Sequence, residues 1–248
     1  MTGPIKALLF DLGNTLMHFD GEWPEVMARA DKSLLKDLQD RGFDLDESAF
    51  LETFRTRLNA YYEERENEFI EYTTGYLLGN VLGEFGIFNV EPQVIDDALE
   101  SLYAVTQQHW IVEDDALSTL QALKTAGYPI GYVSNASNDA DVQKHVDSGD
   151  LRQYADFVLS SAACGVRKPN PRIFEIALAN WEFKPQEVAM IGDTLGADIL
   201  GARNAGLYSI WITRRADSPG NRDHADTIHP NAQLATLAEI PVHLASLY

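Results

Sequence analysis

Ile5-Lys6-Ala7-Leu8-Leu9-Phe10-Asp11-Leu12-Gly13-Asn14-Thr15-Leu16 decides how this chain folds. Residues 5–10 make a short, mostly apolar run, as expected of a strand covered on both faces of a parallel sheet. The run ends on a carboxylate. Ligands of open α/β sheets sit just beyond the carboxyl ends of the strands, so Asp11 marks where a site should lie, and the residues just after each later strand gain meaning.

Working outward, residues 22–109 show helical spacing punctuated at Arg41-Gly42, Gly86 and Glu91-Pro92, with no strand between. Residues 21–109 therefore read as an all-helical insert, flanked by a core of residues 1–20 and 110–248. Beyond Trp110 helix and strand alternate, which is the pattern of a parallel α/β sheet with helices on both faces. Helix is expected over 116–127, 139–146, 171–180 and 195–205, and strand over 129–133, 157–159, 188–191 and 208–212. Pro171 suits a first helical turn and Gly206 the position after a last one. A short strand at 225–228 and a closing helix at 231–237 should complete the layer. The polar stretch 214–224 reads as a solvated loop, and the tail after Pro241 carries no signal.

Residues at the ends of the strands form a coherent set. Strand one delivers Asp11, the next Ser134 and Asn135, the third leads to Arg167-Lys168-Pro169, and the fourth delivers Gly192-Asp193 with Asp198 close behind. Taken singly each has a bland use: a turn-capping carboxylate, a helix cap, an exposed lysine. Together they bring a nucleophile, a hydroxyl, a cation and two carboxylates to one rim.

Composition narrows the partners. A formal charge of -19 opposes any nonspecific grip on nucleic acid or anionic lipid. No apolar run approaches the roughly 18 residues needed to span a bilayer, and residues 1–6 lead into a strand with no signal-type apolar segment. The single cysteine, Cys164, excludes an intrachain disulfide and fits a buried small hydrophobe in a reducing cytoplasm. An anionic substrate would need local positive charge from a metal, a lysine and backbone N–H groups.

These motifs resemble those of the haloacid dehalogenase superfamily, with residues 11–16 as motif one, Ser134 as motif two, Lys168 as motif three and residues 192–198 as motif four. The resemblance spans the chain and implies a Rossmann-like core with a helical C1 cap that closes over the site. It implies a Mg²⁺-dependent phosphatase in which Asp11 forms an aspartyl-phosphate. Lys168 would screen charge on the transferring group, while Ser134 and the Asn135 N–H hold phosphoryl oxygens. Mg²⁺ would be held by Asp11, the Gly13 carbonyl, Asp193 and Asp198, and Thr15 would support the turn. The substrate would be a small phosphorylated molecule, and the protein a monomer or homodimer.

Gly13 departs from that pattern, because family phosphatases carry there an aspartate that protonates the leaving group. Three readings stay open: a substrate with a good leaving group, a substitute acid or base such as His18 or Asp20, or vestigial hydrolysis. Related chemistries also lack that aspartate. A 2-haloacid dehalogenase needs no metal, yet residues 16–20 offer no arginine for a substrate carboxylate. A phosphonatase uses a cap lysine, for which Lys32 and Lys36 are candidates, although a solvated helix face explains both. A catalytically weakened binding protein is the remaining class. The cap tyrosines Tyr61, Tyr62, Tyr72 and Tyr76 suit helix packing or the lining of a specificity pocket.

Overall fold

The computed structural model describes residues 4–247; Met1 to Gly3, the start of the stretch read as free of a signal segment, lie outside them. The chain runs through β1 (Ala7–Phe10) and β2 (Met17–Phe19), then α1 (Trp23–Asp40), α2 (Glu47–Glu68), α3 (Thr74–Glu84) and α4 (Pro92–Gln107), and returns in β3 (Trp110–Val112). Next come α5 (Ala116–Thr125), β4 (Ile130–Ser134), α6 (Asp139–Ser148), β5 (Phe157–Ser160), α7 (Ser161–Cys164), α8 (Pro171–Leu178) and β6 (Val188–Gly192). A π-helical turn (Leu195–Ile199) continues into α9 (Leu200–Ala205), then β7 (Tyr208–Ile212), α10 (Pro219–His224), β8 (Ala232–Leu234) and α11 (Ile240–Ser246).

Among the described residues six parallel strands form one sheet in the order β5-β4-β1-β6-β7-β8. Its helices cover both faces, as the alternation in β1 requires. Leu8 and Phe10 pack with Leu120 of α5, Val146 of α6 and Leu244 of α11, while Ala7 and Leu9 pack with Phe174 of α8 and Ala202 of α9. Register pairs Phe10 with Tyr132 on one side and with Ile191 on the other, which levels the carboxyl ends of β4, β1 and β6 at a single rim.

The four helices between β2 and β3 have a core of their own. α1 carries Pro24 in its first turn and buries Ala30, Leu34 and Leu38, spaced at helical intervals, against Ile95, Ala98, Leu99 and Leu102 of α4. Phe50 and Phe54 of α2 and Leu78 and Leu82 of α3 fill the remainder with no exposed surface. Truncating one of these to alanine would cost about 2–5 kcal/mol.

Several elements differ from expectation. β2 and β3, unforeseen, pair as an antiparallel ribbon through which the chain enters and leaves the helices. Residues 225–228 are not a strand: Ala225 ends α10, the Ile228 N–H donates to the His224 carbonyl, and the Ile228 side chain packs under Leu195 and Ile199. The edge strand is Ala232–Leu234, where a helix was expected. Asn231 seats it, since Asn231 Oδ1 accepts from the Ser209 N–H and hydroxyl at 2.9 and 3.0 Å and so ties the segment to β7. After Pro241 the chain is helical to Ser246, and Tyr248 lies outside the described residues.

Candidate active site

Asp11 leaves β1 at the rim with its backbone N–H donating to the Ile191 carbonyl. Its carboxylate accepts from Lys168 Nζ at 2.6 Å. The same ammonium donates to Asp198 Oδ1 at 2.7 Å and to the Val133 carbonyl at 2.8 Å, so all its protons are committed. Asn135 aims this lysine: its side-chain amide donates to the Lys168 carbonyl at 2.9 Å and accepts from the Lys168 N–H at 2.8 Å. The Asn135 side chain thus acts on the lysine backbone, a role that the motif pattern did not suggest.

The loop after β6 carries Asp193 and Asp198. Gly192 makes it possible, since a Cβ there would lie 2.3 Å from the Asp198 carboxyl carbon; only glycine lets that carboxylate lie against the end of the strand. Asp198 Oδ2 accepts from the Thr194 N–H at 2.9 Å. The loop is also held from outside. Asn221 Nδ2 donates to the Asp193 carbonyl at 2.9 Å, Trp211 Nε1 donates to it at 2.7 Å, and Asn221 Oδ1 accepts from the Leu195 N–H at 2.7 Å. Asn221 is 3% exposed, so the stretch expected to be a solvated loop instead contains a helix that braces the site.

Asp11, Asp193 and Asp198 offer carboxylate oxygens all within 4.8 Å of one another, and all three residues are buried. Three carboxylates face one ammonium. Burial raises the Asp11 carboxyl to about 6, opposed by Lys168 beside it and reinforced by Asp198. Burial also pushes Asp193 well above its ordinary range, with the charges of Asp198 and Asp11 adding to the effect. Burial works against the Lys168 ammonium, but the two carboxylates outweigh it and hold that group above its usual value. This excess of negative charge on hard oxygen donors is what a divalent cation such as Mg²⁺ would relieve, so the residues present fit that ion.

Position 13 explains itself in part. A Cβ at Gly13 would touch Trp110 Cη2 at 3.4 Å and Cζ3 at 3.7 Å. The indole, held between Phe19 and His145 at ring-centroid separations of 5.7 and 5.5 Å, covers the space beyond the missing side chain. His18 stands 3.0 Å from Glu113 in the ribbon, and neither it nor Asp20 lines the cavity. Lys32 and Lys36 are exposed and face Glu47 and Asp40. Thr15 is buried in its turn. The tyrosines divide: Tyr61 is buried in the helical core, Tyr62 lines the cavity, and Tyr72 and Tyr76 are exposed.

A cavity of about 690 Å³ joins these residues. Asp11, Gly13, Ser134, Asn135, Lys168, Asp193 and Asp198 all line it, beneath Trp23, Tyr62, Arg65 and Tyr103 from α1, α2 and α4. The residues that the motifs supply therefore border one hollow, while the substitute candidates His18, Asp20, Lys32 and Lys36 do not. Reading the sequence missed Asn221 and Trp110; for Asn221 the cue was present, because Ser218-Pro219 is a helix-start pattern.

Known proteins resemble this arrangement. The family model for haloacid dehalogenase-like hydrolases matches residues 5–206. Glyceraldehyde 3-phosphate phosphatase from Methanothermobacter thermautotrophicus is 28% identical over 222 residues, covering 90% of this chain and 91% of that protein. Haloacid dehalogenase-like hydrolase domain-containing protein 3 from Homo sapiens is 30% identical over 243 residues, covering 94% and 92%. In fold, the 2-haloacid dehalogenase from Pseudomonas syringae pv. Tomato DC3000 superposes with a TM-score of 0.70 at 23% identity, covering 98% of this chain and 100% of that one.

Proposed function

Because this chain belongs to the haloacid dehalogenase-like hydrolases, we propose that it is a Mg²⁺-dependent phosphatase of small phosphorylated molecules, acting through Asp11. The observation that carries the reading is the buried triangle of Asp11, Asp193 and Asp198. A dehalogenase working without a metal would have no ion for Asp193 and Asp198 together to hold beside the nucleophile. The Methanothermobacter relative, a glyceraldehyde 3-phosphate phosphatase, supports the same direction.

Asp11, the Gly13 carbonyl, Asp193 and Asp198 would hold the ion, which when bound neutralises charge on the phosphoryl oxygens. An Asp11 carboxylate oxygen attacks phosphorus; the ester P–O bond breaks and the leaving oxygen departs with its electron pair. Water then attacks phosphorus, giving up a proton to the departed oxygen or to solvent, breaks the bond to Asp11 and releases phosphate. Lys168 stabilises the charge on the transferring group, and the Ser134 hydroxyl and Asn135 N–H bind its oxygens. Helices α1 to α4, approximately residues 21–109, serve as the cap that closes over the reaction and excludes water.

With no carboxylate at position 13, substrates whose leaving group is already acidic are the favoured ones. A cytoplasmic setting belongs to this reading, supported by the half-buried lone thiol of Cys164 and by the finding that no described helix is long and apolar enough to cross a membrane.

The test is phosphate release from an aryl phosphate with Mg²⁺, run beside 2-haloacids without it. Turnover lost on chelation and in Asp11→Asn is expected. Halide release without metal, or silence across a broad phosphate panel, would reject the proposal.

A further inference from the structure

Residues 69–74, the chain between α2 and α3, come down onto the core. Backbone bonds fix their course: the Arg167 N–H donates to the Phe69 carbonyl at 3.1 Å, the Glu71 N–H to the Gly165 carbonyl at 3.0 Å, and the Thr74 N–H to the Ser137 carbonyl at 2.8 Å. Between them Ile70 and Val166 form an antiparallel bridge. The helical block, which leaves and rejoins the core through the β2–β3 ribbon, is thus fastened to it a second time. The fastening falls on the residues just before Lys168 and just after Ser134.

A carboxylate sits at the centre of this junction. The Glu71 side chain has no exposed surface and does not line the cavity. Its Oε1 accepts from the hydroxyls of Tyr61 and Ser137 at 2.6 and 3.0 Å, and its Oε2 from that of Ser161 at 2.7 Å, with Arg167 Nη1 3.6 Å from Oε2. Ser161 passes the constraint on, because its Oγ accepts from the Ala136 N–H at 2.9 Å. The Ala136 carbonyl, 3.2 Å from that hydroxyl, already accepts from the Ala162 N–H at 3.1 Å, so the one Ser161 proton goes to the charged acceptor. The helical block therefore holds Ser137 by its carbonyl and its hydroxyl, and Ala136 by its N–H through Ser161. Adhesion alone does not call for such a group: burying a carboxylate is costly even when it is well bonded, and apolar side chains join two elements as firmly. What the carboxylate adds is direction.

We propose that Glu71 is a positioning residue, which from the helical block sets the loop 134–137 and with it the Ser134 hydroxyl and the Asn135 N–H. The Asn135 side chain grips the Lys168 backbone at both N–H and carbonyl, so the lysine belongs to the same linked set. That this loop binds phosphoryl oxygens rests on the phosphatase reading; that Glu71 sets the loop does not.

The test compares the native chain with Glu71→Ala, Glu71→Gln and a control, Leu38→Val, which thins the helical core away from the junction. Hydrogen exchange followed by mass spectrometry should be about tenfold or more faster over residues 134–137 in Glu71→Ala, and kcat on p-nitrophenyl phosphate with Mg²⁺ should fall about tenfold or more, while circular dichroism stays native. Glu71→Gln, which keeps an acceptor for Tyr61 and Ser137, should recover most of both, and Leu38→Val should leave both unchanged. If Glu71→Ala does not fold, Ser161→Ala, which removes the hydroxyl between Glu71 and Ala136, decides by the same readouts. Native exchange over 134–137 or undiminished kcat in the folded deciding variant overturns the role, and so does an equal loss of kcat in Leu38→Val. Faster exchange over 134–137 in a protein that hydrolyses no phosphate ester would leave Glu71 as the guide of this loop and reject the phosphatase.

Discussion

Restoring a carboxylate at position 13 should increase activity only if the indole facing it is shortened too. A Cβ on Gly13 meets Trp110 at 3.4 and 3.7 Å, ordinary contact distances, so the backbone accepts a side chain there. The carboxylate of Gly13→Asp extends beyond that Cβ, and rotamers directed at the ring collide with an indole already flanked by Phe19 and His145. Trp110→Phe removes the far ring atoms that make these contacts and keeps an aromatic group in the ribbon, at a stability cost of about 1 kcal/mol. A positioned general acid contributes roughly 10²–10⁴ in rate when the leaving group needs a proton. Steady-state kcat/KM on ethyl phosphate and on p-nitrophenyl phosphate separates the effects. Gly13→Asp alone should gain less than about tenfold on the alkyl ester, and the double variant roughly a hundredfold or more, with only a few-fold change on the aryl ester. A full gain from Gly13→Asp alone would refute the steric account. No gain from a folded double variant would mean that another group already delivers the proton.

Asp11→Asn should lower phosphate release by about 10³-fold or more in a protein with an unchanged melting temperature at low pH; retained turnover would remove Asp11 as nucleophile. Folding raises the carboxyls of Asp11 and Asp193, so their contribution to stability is present in full below pH 3.8 and is lost as pH rises, for Asp11 through about 6. Chelated protein should therefore lose melting temperature across that window more steeply than chelated Asp193→Asn, and Mg²⁺ should restore it; parallel curves would contradict this. Asn135→Ala breaks both bonds to the Lys168 backbone, each worth about 0.5–1.5 kcal/mol, and should reduce kcat about tenfold with the secondary structure intact. An unaltered kcat would show that the lysine needs no such guide.

Much of the fold and site is legible in the sequence because the signals are local. Residues 5–11 announce a buried strand that ends on an acid, and β1 lies mid-sheet with Asp11 at the rim. Ser134, Lys168, Asp193 and Asp198 stand out because each comes after a short apolar run. The features that escape depend on contacts distant in sequence. β2 and β3 are three residues each, about 90 positions apart, and neither alternates strongly enough to declare itself without its partner. β8 is a short edge strand whose position depends on Asn231 binding Ser209, which no periodicity encodes. Asn221 looks like loop chemistry because its three partners, Asp193, Leu195 and Ala216, assemble only after the sheet has formed. The amide of Asn135 misleads for a related reason: a polar residue at a strand end looks ready for ligand until its own backbone neighbours are known.

The β2–β3 ribbon has an architectural consequence. Phe19 is paired with Trp110, and the Asp20 N–H donates to the His109 carbonyl at 2.7 Å, so the chain departs from the sheet and rejoins it at adjacent points. Another module could be spliced in through two neighbouring seams without altering the strand order, provided it replaces the contacts that Glu71 makes with Ser137 and Ser161. Such a graft would inherit the chemistry while changing the clientele, and Trp110, standing at one seam and leaning over Gly13, is the residue whose adjustment would decide whether the transplant works.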